Sequence, residues 1–189
     1  LMLGALLGAA TVDHAPAPAP AVAKQPPAET LPVHLEQEET GFHAAADILL
    51  ANEGGYVARD GNTGLPAIYG IGAKYHPEAY ARAKRLTDEY GEAAGKACAR
   101  EFYRVKYWEP NGLEDLPAEV QAILLDGLVN HRVAFGRDLL RAARDGATPT
   151  QLLAMRWREY HRLAQSQQYA AYLDGWVSRL ERTARAVES

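Results

Sequence analysis

A single glutamate at the end of an apolar helical stripe is the residue best placed to do chemistry. Phe42, Ala45, Ala46, Leu49 and then Asn52 and Glu53 recur at helical spacing on about one face, the pattern of a helix turned toward a core. Glu53 closes that stripe and is followed at once by Gly54-Gly55-Tyr56. A carboxyl group there is partly desolvated and lies near the negative end of the helix dipole, and both effects favour its protonated form. A protonated glutamic acid is what general-acid cleavage of a glycosidic bond requires. The two glycines permit positive φ and leave no side chain to obstruct a ligand. The plainer alternative is a helix cap followed by a hairpin, with Glu53 in solvent.

Polar turn residues follow, Arg59-Asp60-Gly61-Asn62-Thr63-Gly64, and the segment closes on Tyr69-Gly70-Ile71. Asn52-Glu53-Gly54-Gly55-Tyr56-Val57 with Tyr69-Gly70-Ile71 resembles the signature of the glycoside hydrolase family 108 muramidases, lysozyme-like peptidoglycan hydrolases of phages and bacteria. The resemblance implies a mainly α, lysozyme-like helical domain with a small β-hairpin beside the cleft. It implies Glu53 as catalytic acid, glycan strands of peptidoglycan as partner, and no cofactor. Between the two elements the family carries an Asp nine residues and a Thr fourteen residues after the Glu; here those positions hold Asn62 and Ala67. Two assignments for the second catalytic role therefore stay open. Asp60, seven residues after Glu53, could act as base or electrostatic stabiliser, or Asn62 and Thr63 could position a water without a second carboxylate. Tyr56, Tyr69 and Trp108 are the candidates for sugar contact, Trp108 having a core position as its alternative. A non-catalytic wall-binding or virion protein with a decayed site, and a lytic transglycosylase, are the rival functions.

The elements that must position these groups read as helices. Pro77 suits the first position of a helix over 77–90. Glu92–Tyr107 follows, with Ala94, Ala97, Cys98, Phe102 and Val105 as its stripe. Pro117–Asn130 carries Val120, Ile123, Leu124 and Leu128 and reads as the central helix, with Asp126 and Asn130 as polar residues that demand partners. This stretch resembles the family's D-x-x-V-N segment. Asn130 would bind substrate or cap the helix, and Asp126 would brace a neighbouring turn. Helices over 135–144, 148–165 and 169–186 complete the domain, with Thr148 as cap and Pro149 at the first position of its helix. Asp174-Gly175-Trp176-Val177-Ser178-Arg179 resembles the family's closing G-W-x-x-R element, in which Trp176 docks the last helix and Arg179 pairs an acid.

Composition sets the remaining bounds. The chain has 189 residues, 48% hydrophobic and 23% charged, an ordinary globular balance for one domain and an appendage. One cysteine, Cys98, excludes an internal disulfide. The six histidines are scattered, so a zinc mechanism is not expected. There is no phosphate-cradling glycine loop and no nucleophile elbow. The net charge of -4 resides in the first forty residues, and residues 131–185 carry ten arginines against five acids. That basic half suits an anionic polymer or a solvated helix surface; no nucleic-acid motif accompanies it. Residues 1–14 (apolar LMLGALLGAA, then Thr11-Val12) read as a signal-peptide core or the remnant of a membrane anchor. Residues 15–40 read as a Pro/Ala-rich acidic linker, and 41–189 as the folded domain. The expected product is a monomer exported to the periplasm or cell wall, or carried on a virion, with a possible N-terminal membrane tether.

Overall fold

The computed structural model describes residues 33–60 and 63–188. The expected leader and most of the expected linker, and with them Asn62, lie outside the described residues. Among the described residues are seven α-helices and three two-residue strands: α1 Val33–Glu53, β1 Tyr56–Val57, β2 Ala67–Ile68, β3 Ile71–Gly72, α2 Pro77–Tyr90, α3 Glu92–Tyr103, α4 Ala118–Asn130, α5 Val133–Arg144, α6 Pro149–Ala164 and α7 Leu173–Glu188. The class is mainly α, as expected. Helix α1 begins at Val33 rather than at Phe42, because Leu, Glu and Gln of the preceding HLEQEET run are strong helix formers.

Helix α4 is the centre. Val120 to Gly127 are all buried, charged Asp126 included. Its neighbours wrap it: α1 presents Phe42, Ala45, Ala46, Leu49 and Leu50, and α5 presents Leu139 and Leu140. Fully burying side chains of the size of Ile123, Leu124 and Leu125 stabilises the fold by about 1.5–3 kcal/mol each. Contacts fix the directions. Gly41 lies against Gln121 at one end, and Asn130 meets Glu53 at the other, so α4 runs parallel to α1. Thr183 meets Asn52 and Arg179 meets Glu53, so α7 runs antiparallel to both. Arg100 pairs with Asp47 and ties α3 to the outer side of α1.

The strands form one antiparallel sheet in the order β1-β2-β3, with Tyr56 opposite Ile68 and Ile68 opposite Ile71. The expected hairpin is therefore extended by a third strand. Tyr69 is not a strand residue: it turns between β2 and β3 with φ 51°. Helix α3 also ends differently from expectation. After Tyr103 the chain widens into a π-helical turn over Arg104–Trp108 and then a 3₁₀ turn over Glu109–Asn111. Pro110 cannot donate the backbone hydrogen bond that would continue an ordinary helix there. The capping box expected at Thr148 forms, with Gln151 N–H donating to Thr148 Oγ1 and Thr148 N–H to Gln151 Oε1.

Candidate active site

Three helices, α1, α4 and α7, converge on Glu53. It closes α1, and Gly54 (φ 71°) turns the chain away while its N–H caps Leu50 O. The glutamate side chain is 15% exposed. Its two oxygens meet different surroundings. Oε1 accepts from Arg179 Nη2 of α7 at 2.6 Å and from Asn130 Nδ2 of α4 at 3.4 Å. Oε2 faces the sheet turn: a Cβ placed on Gly70 would lie 2.5 Å from Oε2 and 2.5 Å from the Tyr103 hydroxyl. Gly70 (φ 79°) is thus required twice, for its left-handed backbone and for the space beside the carboxyl group. Tyr103 donates to Tyr69 O at 2.8 Å and locks the turn that carries Gly70. Burial, and then the Glu53 charge, push the Tyr103 hydroxyl well above the usual phenol range, so it serves as a donor and not as an acid.

Behind Glu53 runs a buried chain of charges. Arg179 Nη2 also donates to Asp126 Oδ1 at 2.6 Å, and its Nε to the same oxygen at 2.9 Å. Asp126 Oδ2 takes Arg156 Nη2 at 2.5 Å. Asp126 and Arg156 are both 0% exposed. Burial alone would push the Asp126 carboxyl up, but the guanidiniums of Arg156 and Arg179 outweigh it and hold the group below its usual range. For Arg179, burial works against its charge, and the Asp126 and Glu53 carboxylates more than restore it. Asn52 braces the same cluster, donating to Asp126 Oδ1 at 3.3 Å and Thr183 Oγ1 at 3.1 Å and accepting from Arg182 Nε at 2.9 Å. Asp126 therefore holds α4, α6 and α7 together rather than bracing a turn. One nitrogen of Arg179 bridges it to Glu53, so the two carboxylates sit close together. Enclosed and doubly paired, Asp126 has no route to a substrate.

Arg156 continues outward to His131, its Nε donating to Nε2 at 3.3 Å. That contact assigns His131 the tautomer protonated at Nδ1. Burial first, and then the Arg156 charge, hold the His131 pKa at about 3, from an ordinary 6.5. The unfolded imidazole takes up a proton near pH 6.5, whereas the folded one resists it until about pH 3. Stability contributed by neutral His131 is complete above pH 6.5 and falls as pH drops toward 3. A series of urea midpoints across that window should show a shallower decline for His131→Phe than for the wild type. An equal slope would place the acid sensitivity elsewhere.

The remaining candidates from the sequence divide. Asn130, at the end of α4, sits beside Glu53. Asp60 and Thr63 lie together in the loop before β2: Thr63 Oγ1 donates to Asp60 Oδ2 at 3.4 Å and accepts Leu65 N–H at 3.2 Å. Tyr56 is 52% exposed on β1, with the Lys84 ammonium 5.4 Å from its ring centroid. Two sugar-contact candidates are corrected. Trp108 is 4% exposed and packs edge-on against Phe42 at 5.2 Å, so its faces are used by the core. Tyr69 is 2% exposed, and its hydroxyl points inward to Thr87 and Glu92 O. Neither offers a face to a ligand. Arg156, Tyr103 and Tyr160 are site residues that the sequence does not single out. Arg156 carried a signal, since it occupies the stripe position between Leu152 and Tyr160 that an apolar residue would ordinarily fill.

Among the described residues no group of three or more His, Cys, Asp or Glu side chains converges on a common point, and no helix is long and apolar enough to cross a membrane.

A helical domain with a small antiparallel sheet beside a glutamate-bearing helix end defines a lysozyme-like architecture. The family described as glycosyl hydrolase 108 has a model that matches residues 46–131, and over that stretch the chain is similar to this family. The match runs from the middle of α1 through His131 and contains Glu53, the sheet, Tyr103, Asp126 and Asn130; Arg156 and Arg179 lie beyond it. That similarity supports a glycoside hydrolase acting on peptidoglycan. No curated protein and no solved structure matches the chain.

Proposed function

We propose that this domain is an N-acetylmuramidase that hydrolyses the β-1,4 bond between N-acetylmuramic acid and N-acetylglucosamine, with Glu53 as the general acid. The observation that carries the reading is the unequal treatment of the two Glu53 oxygens. Arg179 and Asn130 both approach Oε1, which leaves Oε2 as the oxygen to exchange a proton with the substrate. Oε2 faces Gly70, where the backbone has no side chain to hold a glycosidic oxygen away. Proton delivery to that oxygen lets the bond break as positive charge develops on the sugar ring. Asp60, carried with Thr63 on the loop before β2, is the base or stabiliser, and Asn130 and Tyr56 contact substrate. Asp60→Asn should reduce turnover less than a change at Glu53; full activity would remove Asp60 from the mechanism. Cell-wall lysis as an endolysin or virion enzyme, outside the cytoplasmic membrane, is the biological role that follows.

The test is mass spectrometry of the products released from purified peptidoglycan by the whole chain. Reducing N-acetylmuramic ends support hydrolysis. Anhydromuramic ends would replace this reading with a lytic transglycosylase, and wall binding without product would replace it with a non-catalytic binder.

Gly70→Ala provides a second check on the geometry. The new methyl would meet both Oε2 and the Tyr103 hydroxyl from a backbone with φ 79°. A stability loss of about 1–3 kcal/mol is expected, together with loss of at least about tenfold in turnover through displacement of the acid. Near-normal turnover would show that the space beside Oε2 is not where the substrate oxygen sits.

A further inference from the structure

A column of near-parallel aromatic rings leads away from Glu53 along the helical wall. His131, the residue after Asn130, stacks on Tyr160 with centroids 4.7 Å apart and planes at 25°. Tyr160 stacks on Trp176 at 5.1 Å and 19°, and Trp176 on Tyr172 at 5.9 Å and 22°. The exposure grades outward: Tyr160 is 2% exposed, Trp176 half-buried and Tyr172 48% exposed.

The helix directions place this column beyond the end of α1. Helix α7 runs antiparallel to α1, with Thr183 level with Asn52 and Arg179 level with Glu53. Residues before Arg179 therefore overhang the space into which α1 would have continued. At 1.5 Å per helical residue, Trp176 lies about 5 Å and Tyr172 about 10 Å past the acid, a displacement on the scale of one to two sugar rings. The stacking fixes Tyr172 from its inner side and leaves much of the ring in water. Core packing accounts for Tyr160 and for the buried part of Trp176, but it does not use an apolar ring left half in solvent. The C–H face of a pyranose ring is the complement of such a surface, and a preheld ring loses little conformational freedom on binding it.

We propose that Tyr172, backed by Trp176, forms a sugar-stacking subsite that holds the glycan strand one to two rings away from the bond beside Glu53. This rests on the reading of Glu53 as the acid of a glycan-cleaving site. It explains the chemistry of a substrate that is a polymer: binding contributed away from the scissile bond selects long strands over short fragments.

The experiment uses the full chain with Glu53→Gln, so that bound strands stay intact, and peptide-free strands of alternating N-acetylglucosamine and N-acetylmuramic acid fractionated by length. Calorimetry gives the affinity. Adding Tyr172→Ala should weaken binding of long strands by about three- to tenfold and leave disaccharide binding unchanged, with Tyr172→Phe restoring the affinity. Since Tyr172 is half exposed, the truncation leaves the core intact. Equal affinities of the two proteins at every strand length would overturn the subsite and leave the acid assignment standing. A folded Glu53→Gln protein that binds no strand of any length would overturn the glycan-cleaving reading itself, and the subsite with it.

Discussion

Glu53→Gln should abolish release of sugar from peptidoglycan while the protein keeps its fold. The amide is isosteric with the carboxyl group, retains an oxygen to accept from Arg179 and Asn130, and cannot deliver a proton. Positioned acid–base catalysis contributes typically about 10²–10⁴-fold, so turnover should fall by at least that lower figure and toward background. Far-ultraviolet circular dichroism and the urea midpoint should change little, because the pair it weakens is partly solvated, with Arg179 11% and Glu53 15% exposed, and because Arg179 keeps Asp126. Turnover within tenfold of wild type, in a protein of unchanged fold, would remove Glu53 from the acid role.

Asp126→Ala should do the reverse, costing the fold before it costs the chemistry. The substitution leaves Arg156 charged and 0% exposed without its carboxylate partner. Removing one member of a buried ion pair costs about 3–5 kcal/mol, much of it the desolvation of the orphaned charge. That is a large share of the roughly 5–15 kcal/mol that holds a typical domain together. The denaturant midpoint should fall accordingly. A companion variant, Asp126→Leu with Arg156→Met, removes both charges and should recover most of the loss, as two contacting sites are not additive. If Asp126→Ala alone were tolerated within about 1 kcal/mol, the cluster would be a bystander and α4, α6 and α7 would be held by apolar packing.

The position of Glu53 was legible because its signal is periodic: a stripe from Phe42 to Leu49 points Glu53 at the core side of a helix end. Helix α2 and the bulk of α4 were legible for similar reasons, a proline at a first turn and a dense apolar stripe. The misplacement of Trp108 and Tyr69 has one physical cause. An aromatic ring that stacks on a ligand and one that fills a core are the same residue, and periodicity does not say on which side the ligand lies. The third strand escaped because two residues are too few for an alternating pattern. Arg179 was read as pairing an acid, but which acid depended on the antiparallel crossing of α1 and α7. Arg156 is harder still, since its partner Asp126 lies thirty positions earlier on another helix and no local rule joins them. The tyrosines at 160 and 172 and Trp176 each make sense as single apolar positions, and only the packing of α6 on α7 reveals them as a column.

Glu53 and the guanidinium that pairs with it are contributed by α1 and α7, the first and last of the described helices, 126 positions apart along the chain. During synthesis, Glu53 leaves the ribosome long before Arg179 has been translated. A nascent or prematurely terminated chain can bury α1 against α4 and still lack the guanidinium that orients the carboxyl oxygen. In the proposed mechanism the carboxyl oxygen is therefore oriented only once α7 has been made, a delay between making the fold and arming it. By the same mechanism a chain ending after α6 lacks the guanidinium beside Glu53, and proteolytic loss of α7 removes it from the finished domain without touching Glu53.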